Sequence, residues 1–207
     1  MSRLWCAGAL LVCLLYRSAT AQVIEFESHG LKYQTLTRSG VTVMFAPLPV
    51  RVREYAILQI AVSNGSAGPY VIKPEDFYYL RNDGEVIEAT PANAVVNMLM
   101  QKGTGGDVIK LVNTYEAALY GIPHMKSTNG FEARRQAALA FGSSRLRAAA
   151  TASAVALVQT KLMPGETTDG AIFLVTEGKP VGAGHLQVRT NTDLFDFNPT
   201  PEPEPHP

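Results

Sequence analysis

A glycine-rich turn is the most suggestive chemical feature of this sequence: residues 103–107 read Gly-Thr-Gly-Gly-Asp and precede a helical pattern. Free backbone N–H groups at the start of a helix can bind an anion. However, the turn lacks the lysine and hydroxyl order of a phosphate-binding loop, and the carboxylate of Asp107 would repel phosphate. These features favour a turn between two helices.

Metal binding would need clustered ligands. An acidic group near two predicted turns contains Glu75, Asp76, Asp83 and Glu85, whose oxygen atoms would suit calcium. The group lacks EF-hand spacing, so solvated turn residues are the alternative interpretation. The four histidines, at positions 29, 124, 185 and 206, have no metal-ligand spacing. We therefore predict no metal and no cofactor.

A serine nucleophile would need a histidine and an acid beside it. The sequence has no Gly-x-Ser-x-Gly motif, and Ser143 and Ser144 lie at a predicted helix break with no base nearby in sequence. Only folding that brought His185 close would activate them. We predict that the protein is not an enzyme.

Arg134 and Arg145 are the residues that we single out as a partner surface. They lie eleven residues apart, so on a continuous helix they would share a face and meet an acidic partner. A solvated helix face is the alternative. Asn64-Gly65-Ser66 fits a glycosylation acceptor, and it fits a tight turn equally well.

Residues 1–21 have the pattern of a cleaved secretory signal peptide. Arg3 supplies the positive charge, residues 4–16 are apolar, and Ala-Thr-Ala at 19–21 predicts cleavage after Ala21. An uncleaved anchor is the alternative, but the apolar run is shorter than the roughly 20 residues of a spanning helix. We predict a periplasmic or secreted protein with no transmembrane segment after signal removal.

The composition of the mature chain argues against thiol chemistry and against nucleic-acid binding. Both cysteines, Cys6 and Cys13, lie in the predicted signal, so no thiol would remain for a disulfide or a nucleophile. Removing residues 1–21 takes away Arg3 and Arg17 and no acid, which leaves 16 basic and 18 acidic side chains. This charge argues against nucleic acid as a partner.

The mature chain begins with a β pattern. Residues 54–63 alternate and have apolar side chains on both faces, which predicts a central strand. Turn residues at 38–40 and 82–84 separate further strands. Those strands are predicted at 23–27, 32–37, 41–46, 70–73, 77–81 and 85–88.

From residue 90 the spacing of the apolar residues changes from that of strands to that of helices. Thr90 and Pro91 predict a helix start, and the helix runs to Lys102. A second helix, capped by Asp107, carries apolar residues at helical spacing from 108 to 119. A third stretch, 131–158, is predicted to break at 142–144, after which residues 146, 149, 150, 153 and 157 would form one face.

Strands resume at 171–175, 185–190 and 193–197, and 199–207 form a proline-rich tail that we predict to be disordered. The sheet segments 22–90 and 160–198 together contain 108 residues, close to the ~100 of an immunoglobulin-like sandwich. We therefore predict a mainly β fold, with one sandwich domain over 22–198 and a helical insertion at 91–159. Pro164 and Gly165 would form a type II turn leading back into the sheet.

Two stretches resemble a family of bacterial exported immunoglobulin-like domains, which includes lipoproteins and secreted immunogenic antigens. The matching residues are Asn64, Pro74, Asp76, Phe77, Asp83, Gly84, Leu162, Pro164, Gly165, Glu166 and Gly170. The resemblance implies an exported immunoglobulin-like fold and supplies no catalytic residues. The long insertion departs from the family pattern.

We expect a non-catalytic exported binding or interaction domain, whose partner is an envelope or extracellular protein or a small ligand. The sandwich would be a scaffold able to fold without residues 92–158, and the helices would provide the partner surface. The alternative is a small-ligand or lipid carrier in which the helices form a lid over an apolar cavity.

Overall fold

The computed structural model describes residues 22–120 and 131–198, without the side chains at 114, 115, 117–120, 131 and 132. The strands are β1 (Ile24–Ser28), β2 (Leu31–Arg38), β3 (Val41–Pro47), β4 (Tyr55–Asn64), β5 (Tyr70–Ile72), β6 (Phe77–Arg81), β7 (Val86–Thr90), β8 (Thr160–Leu162), β9 (Thr167–Val175), β10 (Gly184–Arg189) and β11 (Leu194–Asp196). The helices are α1 (Ala92–Lys102), α2 (Gly105–Tyr120), α3 (Phe131–Leu139) and α4 (Ser144–Val155).

The main sheet is antiparallel, with the strand order β1-β2-β3-β4-β9-β7-β6-β10-β11, and β5 pairs with β8 apart from it. Its central ladder joins β4 to β9, from Tyr55 opposite Val175 to Ser63 opposite Thr167. The predicted association of these two distant stretches of chain is confirmed. So is the broad fold class, a mainly antiparallel β protein with helices between the strands.

The sheet curls so that one face encloses an apolar interior. Along β4, Ile60 and Val62 point into this interior, as the alternation of a strand requires. The residues that they join from the far strands include Phe77, Leu186, Val188 and Phe195. The ring of Phe45 on β3 meets that of Phe197 edge-on at 4.9 Å. The two ends of the sheet therefore share one core.

The opposite face of the central strands is covered by the helices. Tyr55, Ile57 and Phe173 belong to one apolar cluster with Val95 and Leu99 of α1. The cluster members on α2 and α4 are Val108, Leu111, Ala148, Ala149, Ala152 and Val155. Removing the helices would expose this face to water, which argues against a sheet that folds without residues 92–158.

Helix α4 lies close to its neighbours because its buried side chains are mostly alanines. The face predicted to pack against a neighbour is buried at Ala149. The prediction is wrong at Leu146 and Ser153, which are exposed. The error arises because alanines occur all around the helix, so its faces differ little in hydrophobicity. Beyond α4 the chain crosses beside β9, where Leu157 N–H donates to Ala171 C=O at 2.8 Å.

The connections follow local turn chemistry. Ser39 and Gly40 both have positive φ, 50° and 79°, as a type I′ hairpin turn requires. At the predicted type II turn, Gly165 has φ 83° and Glu166 N–H donates to Met163 C=O at 3.0 Å. The predicted helix break is confirmed by the gap between α3 and α4. Pro91, not Thr90, directly precedes α1.

Candidate functional site

The glycine-rich turn is organised as a helix cap. Thr104 caps α2 in place of the predicted Asp107, whose N–H lies 3.4 Å from Thr104 Oγ1. In return, the N–H and hydroxyl of Thr104 each donate to Asp107 Oδ2 at 2.8 Å, which completes a capping box. Arg53 adds an ion pair with an Nη2–Oδ2 distance of 2.9 Å. The carboxylate thus already complements the helix N-terminus, which supports the turn interpretation.

Three of the four acidic residues near the two turns are engaged by cations or backbone groups, and the fourth, Glu75, is exposed. Asp83 and Glu85 both pair with Arg81. Asp76 is buried and accepts the N–H of Lys73 at 3.0 Å. Burial raises the pKa of Asp76 above its ordinary value, although the N–H and the charge of Lys73 oppose this. Within residues 22–120 and 131–198, no group of three or more His, Cys, Asp or Glu side chains could hold a metal ion.

The hydroxyl and imidazole groups considered for catalysis belong to different layers. His185 lies on β10, and its Nε2 is 3.2 Å from Asp196 Oδ1. Ser143 directly precedes α4, which begins at Ser144 in the helical layer. The hypothesis of a Ser–His pair therefore gains no support from the fold.

Asn64, at the end of β4, organises a turn. It is fully buried, and its Nδ2 donates to the carbonyl groups of Gly68 at 2.8 Å and Leu162 at 3.0 Å. Its Oδ1 accepts the N–H of Ser66 at 3.0 Å. Of the two interpretations of Asn64-Gly65-Ser66, the structure favours the turn, because the amide nitrogen is enclosed.

The two arginines, which would share a face only on a continuous helix, lie on different helices. Arg134 is half-buried in α3, and its Nε is enclosed without a hydrogen-bond partner among the residues described. Arg145 is exposed in the first turn of α4. The break between the helices removes the phase relation that the eleven-residue spacing implied. Their individual use as partner contacts remains a prediction.

Three exposed apolar side chains lie at the connection between α3 and α4. Leu139, Phe141 and Leu146 are 37%, 46% and 38% exposed, and together with Arg145 and Arg147 we call them the α3–α4 corner. Arg147 Nε donates to Phe141 C=O at 2.8 Å, and its Nη2 donates to the next carbonyl at 3.2 Å. The corner therefore exposes apolar side chains and the guanidinium of Arg145, and hydrogen bonds from Arg147 hold its backbone in place.

A cleft lies between β1–β3 and the strands β6 and β10. It has a volume of about 420 Å³, and its lining includes the rings of Phe45 and Tyr79 and the charged side chains of Glu25, Glu27 and Lys32. This volume falls within the range of ligand sites, ~300–1,000 Å³. The residues that line it are all on strands, so the helices do not form its lid.

Sequence reasoning missed this cleft because it depends on the curl of the sheet. The lining residues on β1–β3 lie well over a hundred residues from Gly184 on β10. One local signal was available. An isolated glycine in a strand often marks a close approach, and a Cβ at Gly184 would collide with the carbonyl oxygen of Leu80.

None of the helices among the residues described is both long enough and apolar enough to cross a membrane. Comparison of the chain with family models, with curated proteins and with solved structures found no match. The functional interpretation therefore depends on the geometry of the corner and the cleft.

Proposed function

We propose that this protein is a non-catalytic binding domain, exported to the periplasm or secreted after cleavage at Ala21. In this proposal an immunoglobulin-like sandwich is the scaffold and the helical layer presents the partner surface. The signal-like residues 1–21 and the turn motifs support export and fold class. The observation that carries the proposed activity is the α3–α4 corner.

The corner has the chemistry of a protein contact. Aromatic and arginine side chains are enriched in interfaces, where an apolar centre is surrounded by a polar rim. Phe141 supplies the ring and Arg145 the exposed charge, so the fitting partner is a protein with an apolar pocket and carboxylates beside it. Arg134 would contribute less than Arg145, because it is half-buried.

The test is a crosslinked pull-down from the native cell envelope that compares the mature chain with the triple variant Leu139→Ser, Phe141→Ser, Leu146→Ser. The matched control is Val86→Ser with Leu194→Ser, which removes apolar side chains that are 53% and 44% exposed on strands. We expect the triple variant to lose about tenfold in capture of a specific partner and the control to lose none. Equal capture by all three proteins would contradict the proposal.

The second candidate function is a small-ligand or lipid carrier, favoured by the cleft with its aromatic floor. The ligand would lie between strands and not beneath the helices. Native mass spectrometry of the mature chain purified from its own cells tests it. A bound mass that disappears in Tyr79→Ala would support the carrier, whereas a protein without bound mass would count against it.

A further inference from the structure

Strand β1 ends the described sheet and pairs on one side only, with β2. Four of its five residues are exposed, and the last is partly so. An edge strand offers unpaired N–H and C=O groups to any extended chain that approaches it. No other strand among residues 22–120 and 131–198 pairs with this edge.

The β1–β2 turn determines which backbone groups are free. His29 and Gly30 have φ values of 51° and 75°, which is the type I′ pattern of a two-residue hairpin, and Ser28 pairs with Leu31. In such a hairpin the closing pair is hydrogen-bonded, and bonded pairs then alternate along the ladder. The residues that bond β2 are therefore 24, 26 and 28. Glu25 and Glu27 direct their N–H and C=O groups to the free edge.

The same two residues determine the charge of the edge. Glu25 and Glu27 line the cleft; Gln34 Nε2 donates to Glu25 Oε1 at 2.5 Å, and Lys32 on β2 is the cross-strand partner of Glu27, so the outermost row of this face is acidic and the row behind it carries one cation. On the opposite face of β1, Ile24 is 60% exposed and Phe26 is 38% exposed. The edge therefore has an acidic face and an apolar face at alternate positions.

A second copy of this chain is a poor occupant. Antiparallel pairing centred on Phe26 would place Glu25 opposite Glu27 of the second copy, and it would do so twice. A shift of two residues either way sets Glu25 against Glu25 or Glu27 against Glu27. Like charges directly opposite each other destabilise a ladder.

We propose that the β1 edge binds an extended segment of a partner protein by adding it as a further strand. That segment carries lysine or arginine at alternate positions, opposite Glu25 and Glu27, and apolar residues between them, beside Ile24 and Phe26. Strand addition takes affinity from backbone hydrogen bonds and specificity from alternate side chains. This site lies on a different element from the α3–α4 corner and binds through the backbone. Its test is therefore independent of the test of the proposed function.

The probe is a capped peptide of about eight residues that alternates lysine and valine, measured against the mature chain by fluorescence anisotropy. Controls are the glutamate–valine peptide and a lysine–valine peptide N-methylated at alternate residues, which cannot donate those backbone hydrogen bonds. We expect binding of the lysine peptide alone. Equal binding of the N-methylated peptide would overturn strand addition.

The charge requirement is tested by Glu25→Lys with Glu27→Lys. This double variant should weaken binding of the lysine peptide about tenfold and strengthen binding of the glutamate peptide by a similar factor. The matched control, Glu88→Lys with Glu177→Lys, reverses two exposed charges away from the edge and should change neither affinity. Circular dichroism checks that both variants fold. Unchanged affinity in the double variant would overturn the proposal.

Hydrogen exchange distinguishes a peptide that pairs with the β1 edge from a peptide that binds elsewhere on the protein. The amides of Glu25 and Glu27 should exchange more slowly when the lysine peptide is present, because they would become strand partners. Protection confined to the α3–α4 corner would overturn the proposal. Analytical ultracentrifugation should show a monomer, and a wild-type dimer abolished by Glu27→Pro, which removes an N–H from the outer side of β1, would assign the edge to a second copy instead.

Discussion

The interior of the curled sheet is filled by large side chains such as Ile60 of β4 and Phe77 of β6, whereas α4 contributes mainly alanines to the core on the opposite face of the β4–β9 pair. Large side chains stabilise by the apolar surface that they bury. Alanines instead let backbones approach, and little space remains for added atoms. The interior should therefore be sensitive to deletions, and the helical side should be sensitive to insertions where α4 packs.

The largest expected effect is a deletion in the interior. Phe77 is fully buried at the start of β6, and Phe77→Ala should lower the free energy of unfolding by about 3–5 kcal/mol. Urea denaturation measures the change. The helical-side control is Val108→Ala, which removes less buried surface and should cost less. An equal loss in both variants would contradict the contrast between the two cores.

The next effect concerns the place where the chain passes from one core to the other. Ala156 belongs to the helical side and Leu157 to the interior, and a Cβ at Gly170 would lie 2.5 Å from Leu157 Cα. Gly170→Ala should cost about 1–3 kcal/mol, because atoms are forced into a packed crossing. Gly142→Ala, where a Cβ meets nothing within 4 Å, is the control and should be nearly neutral. Thermal unfolding that leaves both variants alike would show that the crossing can relax.

A third change should stabilise the protein. Gln59 is 1% exposed on the helix-facing side of β4, and both polar atoms of its amide lack a hydrogen-bond partner within the described residues. A buried, unpaired amide destabilises a fold, so Gln59→Met should raise the free energy of unfolding by about 1 kcal/mol. Denaturant titration measures it. A loss of stability would indicate that the amide is satisfied by a group such as ordered water.

The smallest effect is a pH dependence at the rim of the interior. Partial burial of Asp193 disfavours its charge, but hydrogen bonds from Thr192, Ser39 and Tyr70 outweigh this and lower the pKa of Asp193 below 3.8. A lowered pKa contributes stability above the unfolded-state value, and that contribution is lost as the pH falls through the folded-state value.

The measurement compares wild type with Asp193→Asn in denaturant titrations from about pH 6 to about pH 3. The difference between the two proteins should be largest at the upper end and shrink toward the lower end. Asp83→Asn controls for the loss of one carboxylate on an exposed turn. A difference that grows as the pH falls would contradict the predicted sign.

The same contrast explains what the sequence could predict. The alternation of residues 54–63 predicted β4, and the turn residues Ser39, Gly40, Pro164 and Gly165 predicted local conformations, because these signals act over a few residues. The buried face of α4 was mispredicted because alanine carries little periodic signal. The cleft was not predicted, since it needs strands far apart in sequence to converge through the curl of the sheet. Arg134 and Arg145 were linked through a helix phase that the break at residues 140–143 removes.

We expect the helices and the sheet to form one cooperative structure, so that a rigid body presents the α3–α4 corner. Native-state hydrogen exchange at the amides of Ile60 in β4, Leu99 in α1 and Ala152 in α4 tests it most directly. We expect all three amides to open with the same free energy, equal to that of global unfolding. If Leu99 and Ala152 exchanged through a much lower-energy opening than Ile60, the helices would be an appendage and the claim would be wrong.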